Sequence, residues 1–170
     1  MPHFILQKTE AGQFGDYLSL VQNPRIMALI SGRALDATEA ETQYAAIQAR
    51  NLLHPACGYF YLRDHNGRLM GLCKLQINRP NESEAEIGYL LHPDYWGCGI
   101  ASAVCTELLV RAHGLPFIHR LRALTDPANH ASAHILRKHG FALQTEPVNE
   151  NGFRRQLWLL PLLPTNNQAT

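Results

Sequence analysis

The sequence has almost no excess charge of either sign, with 15 lysines and arginines against 14 aspartates and glutamates in 170 residues. A formal net charge of +1 excludes the strong positive field of a typical nucleic-acid-binding domain. Apolar residues nevertheless make up 46% of the chain, which is too many for a disordered protein. We therefore expect a folded protein that recognises its partners at specific sites, with no nucleic acid among them.

Long apolar runs and paired cysteines are also lacking. The longest apolar run, residues 157–163, contains Pro161 and is far shorter than the roughly 18 residues of a membrane-spanning helix. The four cysteines, Cys57, Cys73, Cys98 and Cys105, do not have the close paired spacing of a zinc site. The first residues have no signal-peptide pattern. We expect no metal, no membrane partner and a cytoplasmic location.

The length and periodicity of the chain predict one α/β domain over residues 1–170, with a polar tail at 165–170. The predicted order is a strand, helices, three antiparallel strands, a helix, a strand, a helix and two strands. Thr38 and Glu41 are predicted to form the capping box of the third helical segment. The predicted strands cover 3–8, 59–63, 69–77, 85–91, 119–125, 141–147 and 153–160, the last two joined around Asn151 and Gly152. The predicted helices lie within 11–30, as two short pieces interrupted at Asn23 and Pro24, and within 38–53, 100–112 and 126–138.

The most informative stretch is residues 84–101, which read EAEIGYLLHPDYWGCGIA. An apolar strand is followed by a short turn, a glycine-rich loop and the start of a helix. Backbone amides in such a loop, together with a helix N-terminus, favour a bound anion, and we expect a pyrophosphate. A plain strand-to-helix turn and a dinucleotide-binding domain remain as alternatives. The second is disfavoured because Ser102 stands at the third glycine position and an antiparallel meander precedes the loop.

Four local patterns follow one another along the chain: AEIGY at 85–89, PDYWGCGIA at 93–101, Asn129 with Ser132, and LRKHGF at 136–141. In this order and spacing they resemble the GNAT superfamily of N-acetyltransferases, which use acetyl-coenzyme A (acetyl-CoA), and most closely its ribosomal-protein N-terminal acetyltransferase branch. The resemblance extends over about residues 20–160. It implies a GNAT fold, with a mixed, mostly antiparallel twisted sheet of about seven strands, splayed between the fourth and fifth strands and flanked by about four helices.

The resemblance also implies that acetyl-CoA lies in that splay as co-substrate and that no metal takes part. The loop pattern of the family begins with Arg or Gln. A Gly follows three positions later, and a Gly or Ala two positions after that. Trp96 departs from this pattern, but the family binds the pyrophosphate mainly through backbone amides. The implied coenzyme-binding residues are Tyr89, Leu90, Leu91, Trp96, Gly97, Cys98, Gly99, Ile100, Ala101, Ser102 and Asn129.

Acetyl transfer requires a neutral amine, stabilisation of the carbonyl oxygen and a proton for the leaving thiolate. A lysine-like amine with a pKa of about 10.4 is almost entirely protonated at pH 7, whereas an N-terminal amine near 8 is much less so. Glu86 is the candidate general base by resemblance, and partial burial is expected to raise its pKa. Its alternative role is an outward-facing sheet residue. A backbone amide near Leu90 or Leu91, at a strand bulge, is expected to stabilise the oxyanion.

Asn129 and Ser132 are three residues apart at a helix start and therefore share one face. The resemblance implies that Asn129 contacts the pantetheine arm and that Ser132 lies near the sulfur and returns a proton to it. Simple helix capping is the alternative role for both residues. Many GNAT enzymes have a tyrosine acid where this chain has Leu136, which shifts the proton-donating role to Ser132 or to water.

The sequence thus predicts an acetyl-CoA-dependent N-acetyltransferase. Its acceptor is a primary amine, either a protein N-terminus or a small molecule, that attacks the thioester directly in a ternary complex. Residues 20–55 and the last hairpin are expected to form the acceptor wall, and the edge of that hairpin makes a homodimer plausible. The alternatives are a non-catalytic acyl-CoA-binding GNAT module, acting as a sensor or interaction domain, and a nucleotide-binding domain.

Overall fold

A mixed β-sheet forms the centre of the computed structural model, which describes residues 3–150 and 152–163. Within these residues the sheet has eight strands and five α-helices flank it. The predicted tail at 165–170 and the turn residue Asn151 lie outside the described residues. The strands are β1 (Ile5–Lys8), β2 (Gly58–Arg63), β3 (Leu69–Gln76), β4 (Glu84–Leu91), β5 (Arg120–Thr125), β6 (Ala142–Leu143), β7 (Val148–Glu150) and β8 (Phe153–Pro161), and the helices are α1 (Phe14–Val21), α2 (Pro24–Met27), α3 (Ala37–Asn51), α4 (Ile100–His113) and α5 (His130–Lys138).

The strand order is β1-β2-β3-β4-β5-β8-β6, and β7 pairs with β8 at one end. All pairs are antiparallel except β4 and β5, which run parallel. The parallel pairing covers only Glu84–Glu86 against Arg120–Arg122, and beyond it the two strands separate. This confirms the predicted mixed sheet with a splay between its fourth and fifth strands.

The meander of β2, β3 and β4 forms as predicted, but β4 has no bulge in its pairing with β3. The register between these strands is continuous from Gly71 opposite Leu91 to Gln76 opposite Glu86. Gly71 explains the close pairing, because a Cβ at this position would lie 2.2 Å from the Leu90 carbonyl oxygen. The predicted bulge at Leu90 or Leu91 is therefore wrong.

Two apolar cores lie on opposite faces of the sheet. Helices α4 and α5 pack on one face, around Leu108 and the fully buried Trp158. Helices α1, α2 and α3 cover part of the other face, over Tyr61 and Leu72. The cleft between β4 and β5 thus opens between two helical layers, each fixed by its own core.

Helix α3 begins earlier than predicted, with a different capping box. The Asp36 side chain accepts a hydrogen bond from Glu39 N at 2.8 Å, and Glu39 accepts one from Asp36 N at 3.0 Å. Asp is a strong N-cap residue and also matches the pattern of a cap with an acid three residues later. The predicted pair Thr38 and Glu41 is therefore wrong by two residues.

The predicted strand 141–147 forms only in part, because β6 covers two of its residues and, after an interruption at 144–147, a separate strand β7 begins at Val148. Strand β6 pairs with Trp158 and Leu159, whereas β7 pairs with residues 153–155. Pro147 lies in the interruption, and proline has no N–H to donate to a ladder. The extra strand gives eight strands where about seven were expected. The two helical pieces predicted within 11–30 form as α1 and α2, so the described residues have five helices against the four or so of the implied fold.

None of the helices among the described residues is both long and apolar enough to cross a membrane. The described residues also contain no group of three or more potential ligands placed to hold a metal ion.

Candidate functional site

The splay between β4 and β5 opens a cleft with two connected parts. The first, which we call the loop side, has a volume of about 530 Å³ and extends to α2 and the glycine-rich loop. The second, the Glu86 side, has about 200 Å³ and extends along β3 and β4 to the C-terminal hairpin. Six residues line both parts, so the cleft is continuous: Leu29, Ile30, Tyr89, Leu90, Asn129 and Ser132.

The glycine-rich loop takes its shape from two left-handed residues. Gly97 and Gly99 have φ of 72° and 76°, a conformation that strains residues with a Cβ. The Trp96 indole N–H donates to the Leu91 carbonyl at 2.9 Å and anchors the loop to the end of β4. Gly99 is the N-cap of α4, whose first N–H groups have no partner within the helix. The loop therefore presents backbone donors to the cleft.

Ten of the eleven predicted coenzyme-binding residues line this cleft. The exception is Cys98, which is exposed and whose thiol lies 3.4 Å from the Trp96 carbonyl. Alternation along the short loop explains this, since Gly97 and Gly99 face the cleft and the residue between them faces solvent.

The amides of β4 that face the gap follow from its pairing with β3. His92 N donates to Met70 O at 2.8 Å, and hydrogen-bonded pairs recur at every second residue of an antiparallel ladder. Leu90 is therefore bonded to β3, whereas the N–H groups of Tyr89 and Leu91 point away from it, past the end of the β5 pairing. Of the two amides predicted for the oxyanion, the structure directs that of Leu91 into the gap and adds that of Tyr89.

Glu86 lines the cleft, and its side chain is only 14% exposed. The Lys74 ammonium lies 2.5 Å from its Oε1, and the Arg122 Nε lies 3.3 Å from its Oε2. Burial by itself lowers the pKa of Lys74, but Tyr59 and Glu86 outweigh this effect and raise it. The candidate base Glu86 is thus largely buried and is held between two cations, which the sequence pattern did not indicate.

Gly88 makes this arrangement possible. Lys74 and Gly88 are opposite each other in the β3–β4 register, and a Cβ on Gly88 would lie 3.0 Å from the Lys74 Cε. The lysine stem therefore crosses β4 through the space that a side chain would fill, and its ammonium reaches Glu86.

Asn129 and Ser132 meet the cleft where its two parts join. Asn129 is the N-cap of α5 and accepts a hydrogen bond from Ser132 N at 3.1 Å, so the capping role is present. The Ser132 and Tyr89 hydroxyl oxygens lie 3.4 Å apart, and burial raises the pKa of Tyr89 to about 12. Leu136, at the position of the family's tyrosine acid on α5, also lines the cleft. In this chain the phenol next to Ser132 is that of Tyr89, on β4.

The family model described as "Acetyltransferase (GNAT) domain" matches residues 3–142, most of the chain. The protein belongs to the GNAT acetyltransferase family. No sequence among the curated proteins compared with it matches.

Solved structures show the same fold at low sequence identity. An acetyltransferase from Agrobacterium tumefaciens aligns with a TM-score of 0.76 and 18% identity, over 92% of this chain and 90% of its own. Spermidine N-acetyltransferase from Vibrio cholerae, in complex with CoA and spermine, aligns with a TM-score of 0.75 and 18% identity, over 93% of this chain and 95% of its own. The ribosomal L7/L12 alpha-N-protein acetyltransferase RimL, in complex with coenzyme A, aligns with a TM-score of 0.75 and 18% identity, over 95% of this chain and 96% of its own.

The Glu86 side of this GNAT domain is closed by a contact between two distant segments. The buried Arg155 on β8 donates to the carbonyl of Ile30, just after α2, and lies 3.5 Å from the Asp126 carboxylate. Phe153 is a close neighbour of Gly32, because a Cβ added at Gly32 would lie 3.4 Å from the Phe153 ring. The loop after α2 and the last hairpin thus form adjoining walls of the cleft.

Sequence reasoning missed three positively charged residues in or beside this GNAT site: Lys74, Arg122 and Arg155. Lys74 could have been found from the predicted meander. A continuous register pairs Gln76 with Glu86 and Lys74 with Gly88, so Lys74 lies one pair away from Glu86 on the same face of the sheet. The β4–β5 pairing brings Arg122 beside Glu86, and the β5–β8 pairing places Arg155 in the lining of the cleft. These pairings join segments far apart in the chain, and no local pattern indicates their register.

Proposed function

We propose that the protein is an acetyl-CoA-dependent N-acetyltransferase that transfers the acetyl group to a primary amine by direct attack in a ternary complex. The observation that carries the proposal is the single continuous cleft that joins an amide-lined loop to the Glu86 carboxylate. The loop suits a pyrophosphate, and the carboxylate lies where an amine can approach the thioester. We also propose that the protein is cytoplasmic.

The coenzyme would lie along the loop side of the cleft. Amides at the start of α4 would bind its pyrophosphate, and the field of the helix would contribute about 0.3 to 2 kcal/mol. Asn129 would contact the pantetheine arm. The thioester would then lie near Tyr89 and Leu91, whose N–H groups point into the gap.

The chemistry balances with groups already in the cleft. The amine nitrogen forms a bond to the thioester carbon while its proton passes to Glu86, directly or through water. The Tyr89 and Leu91 N–H groups stabilise the carbonyl oxygen as it gains charge. The carbon–sulfur bond then breaks, and Ser132 or Tyr89 donates a proton to the thiolate, to be restored from solvent.

The acceptor is a protein N-terminus or a small amine. Both kinds occur among the structural neighbours, since one is a spermidine acetyltransferase bound to spermine and another acts on a ribosomal protein N-terminus. An acceptor amine near pKa 8 requires only about 1 kcal/mol to become neutral at pH 7, against some 4 to 5 kcal/mol for a lysine-like amine. Acetylation of a protein N-terminus therefore depends less on the general base than acetylation of a lysine-like amine.

Two experiments test the proposal. Isothermal titration should show that the protein binds acetyl-CoA, and absence of binding would remove its basis. A screen of peptides, polyamines and amino acids with acetyl-CoA, read by mass spectrometry, should reveal an acceptor with a mass gain of one acetyl group. Light scattering would determine whether the predicted homodimer forms.

One observation favours the alternative of a non-catalytic acyl-CoA-binding module. Glu86 is ion-paired with Lys74 and Arg122, so a base role requires it to exchange one of these partners for the acceptor amine. Binding of acetyl-CoA without thiol release in the presence of any amine would support that alternative.

A further inference from the structure

A single arginine faces the glycine-rich loop from the opposite wall of the cleft. Arg25 belongs to α2 and lines the loop side together with Trp96 and Gly97. Its guanidinium carbon lies 5.3 Å from the centroid of the Trp96 ring. Asn23 caps α2 by accepting a hydrogen bond from Arg25 N at 3.0 Å, which fixes the backbone from which the side chain extends.

The charge of Arg25 has no acidic partner among the described residues. None of their carboxylates lies within 4.0 Å of its guanidinium. An arginine in contact with an aromatic face keeps its N–H edge free to bind an anion. The Trp96 ring therefore orients the cation without neutralising it.

The loop itself supplies donors but no positive charge. Residues 96–102 read WGCGIAS and contain neither lysine nor arginine. Among the described residues that line the loop side, Arg25 is the only lysine or arginine. The Lys138 ammonium lies 3.4 Å from Ser102 Oγ, but Lys138 does not line the cleft. Within the described lining of the loop side, the one arginine or lysine charge available to a doubly charged group is thus on α2.

We propose that Arg25 binds the pyrophosphate of acetyl-CoA and that Trp96 is the residue that positions it. This inference rests on the proposed function, since it assumes that acetyl-CoA occupies the cleft. Arginine offers paired N–H groups that match two phosphate oxygens, and such charge-assisted hydrogen bonds are the strong ones. Arg25 closes the site from the side opposite the loop amides, so that the pyrophosphate is held between two walls.

Three donors distinguish a pyrophosphate contact from the other possibilities: acetyl-CoA, 3′-dephospho-acetyl-CoA and S-acetylpantetheine, which has no phosphate. Binding of the first two is measured by isothermal titration and binding of the third by ligand-observed NMR. Arg25→Gln should weaken both phosphorylated donors by about 10- to 100-fold and leave S-acetylpantetheine unchanged. Arg25→Lys keeps the charge but loses the paired N–H groups, so its affinity for the phosphorylated donors should lie between those of the wild type and Arg25→Gln.

The matched control is Arg68→Gln. Arg68 is exposed on the β2–β3 turn, away from the cleft, and this change alters the net charge by the same amount. It should leave the affinity for all three donors within about twofold, because charges farther apart than the Debye length of roughly 8 Å are screened at physiological salt. A double-mutant cycle tests the positioning role: Trp96→Ala should weaken acetyl-CoA binding less in the Arg25→Gln background than in the wild type.

Each contrary result has a defined meaning. Unchanged acetyl-CoA affinity in Arg25→Gln overturns the inference and leaves the proposed function standing. If Arg25→Gln weakens the binding of acetyl-CoA but not of its 3′-dephospho form, the inference is also overturned, because Arg25 would then contact the 3′-phosphate. An equal loss for S-acetylpantetheine would assign Arg25 a structural role in place of the proposed one. No acetyl-CoA binding by the wild type would refute both proposals.

Discussion

Replacing Glu86 by glutamine tests the candidate base with little change in shape. The amide keeps the volume of the carboxylate but cannot accept a proton from the acceptor. General bases contribute about 10²- to 10⁴-fold to rate. Because two cations already neutralise this carboxylate, we expect a value at the lower end, a loss of about 100-fold in kcat/KM. The affinity for acetyl-CoA should stay within about twofold, since Glu86 does not line the loop side.

The same substitution should also destabilise the fold, because it leaves Lys74 and Arg122 beside each other without the charge that both face. Their side chains are 23% and 31% exposed, so solvent screens part of the repulsion. Leaving a partly buried charged group without its partner costs about 1 to 3 kcal/mol. Urea denaturation would measure this change.

Glu84 provides the matched control for Glu86. It lies two residues earlier on β4, is 27% exposed and contacts Arg120 at 2.5 Å and Arg122 at 3.8 Å. It does not line either part of the cleft. Steady-state assays with the acceptor found by the screen should show Glu84→Gln within about threefold of the wild type, an effect of at most about 0.7 kcal/mol. Equal losses in the two variants, or no loss in Glu86→Gln, would refute the base role.

Three further predictions concern the walls of the cleft. Burial raises the pKa of Tyr89 to about 12, so the folded state favours the neutral phenol. Stability should be full below pH 10 and fall between about pH 10 and 12, by up to roughly 2 to 3 kcal/mol, and Tyr89→Phe should reduce this loss in urea titrations. Gly71→Ala should destabilise the fold by about 1 to 3 kcal/mol, because its Cβ would collide with the Leu90 carbonyl; calorimetry with an unchanged melting temperature would contradict the register. Gly99→Ala should cost about 1 to 2 kcal/mol in the left-handed region and weaken acetyl-CoA binding, which titration would detect.

Local patterns predicted most elements of the fold. The hairpin between β2 and β3 follows from the turn at 64–67, where Asp64 accepts hydrogen bonds from the backbone and Gly67 has φ of 79°. Errors occurred where two local signals competed. Asp36 and Thr38 are both good caps, each followed three residues later by a glutamate, and only the packing of α3 selects between them.

The C-terminal strands show a different limit. The sequence predicts a strand over 141–147, yet only Ala142 and Leu143 of that range pair with β8, and the later strand β7 pairs with β8 at a separate place. The break depends on how a long strand is shared between two short partners. A linear pattern does not contain that information.

The sequence by itself determined the family, the glycine-rich loop and the candidates Glu86, Asn129 and Ser132, because these depend on residue types at short spacing. Only the tertiary structure decided the electrostatics of the site. Lys74 and Arg122 reach Glu86 from neighbouring strands, Tyr89 approaches Ser132 across the cleft, and Arg25 faces the loop from a helix some 70 residues away in the chain. Charges act through space over several ångströms whatever their separation in sequence, so the partners of each site residue follow from the register and packing of the sheet.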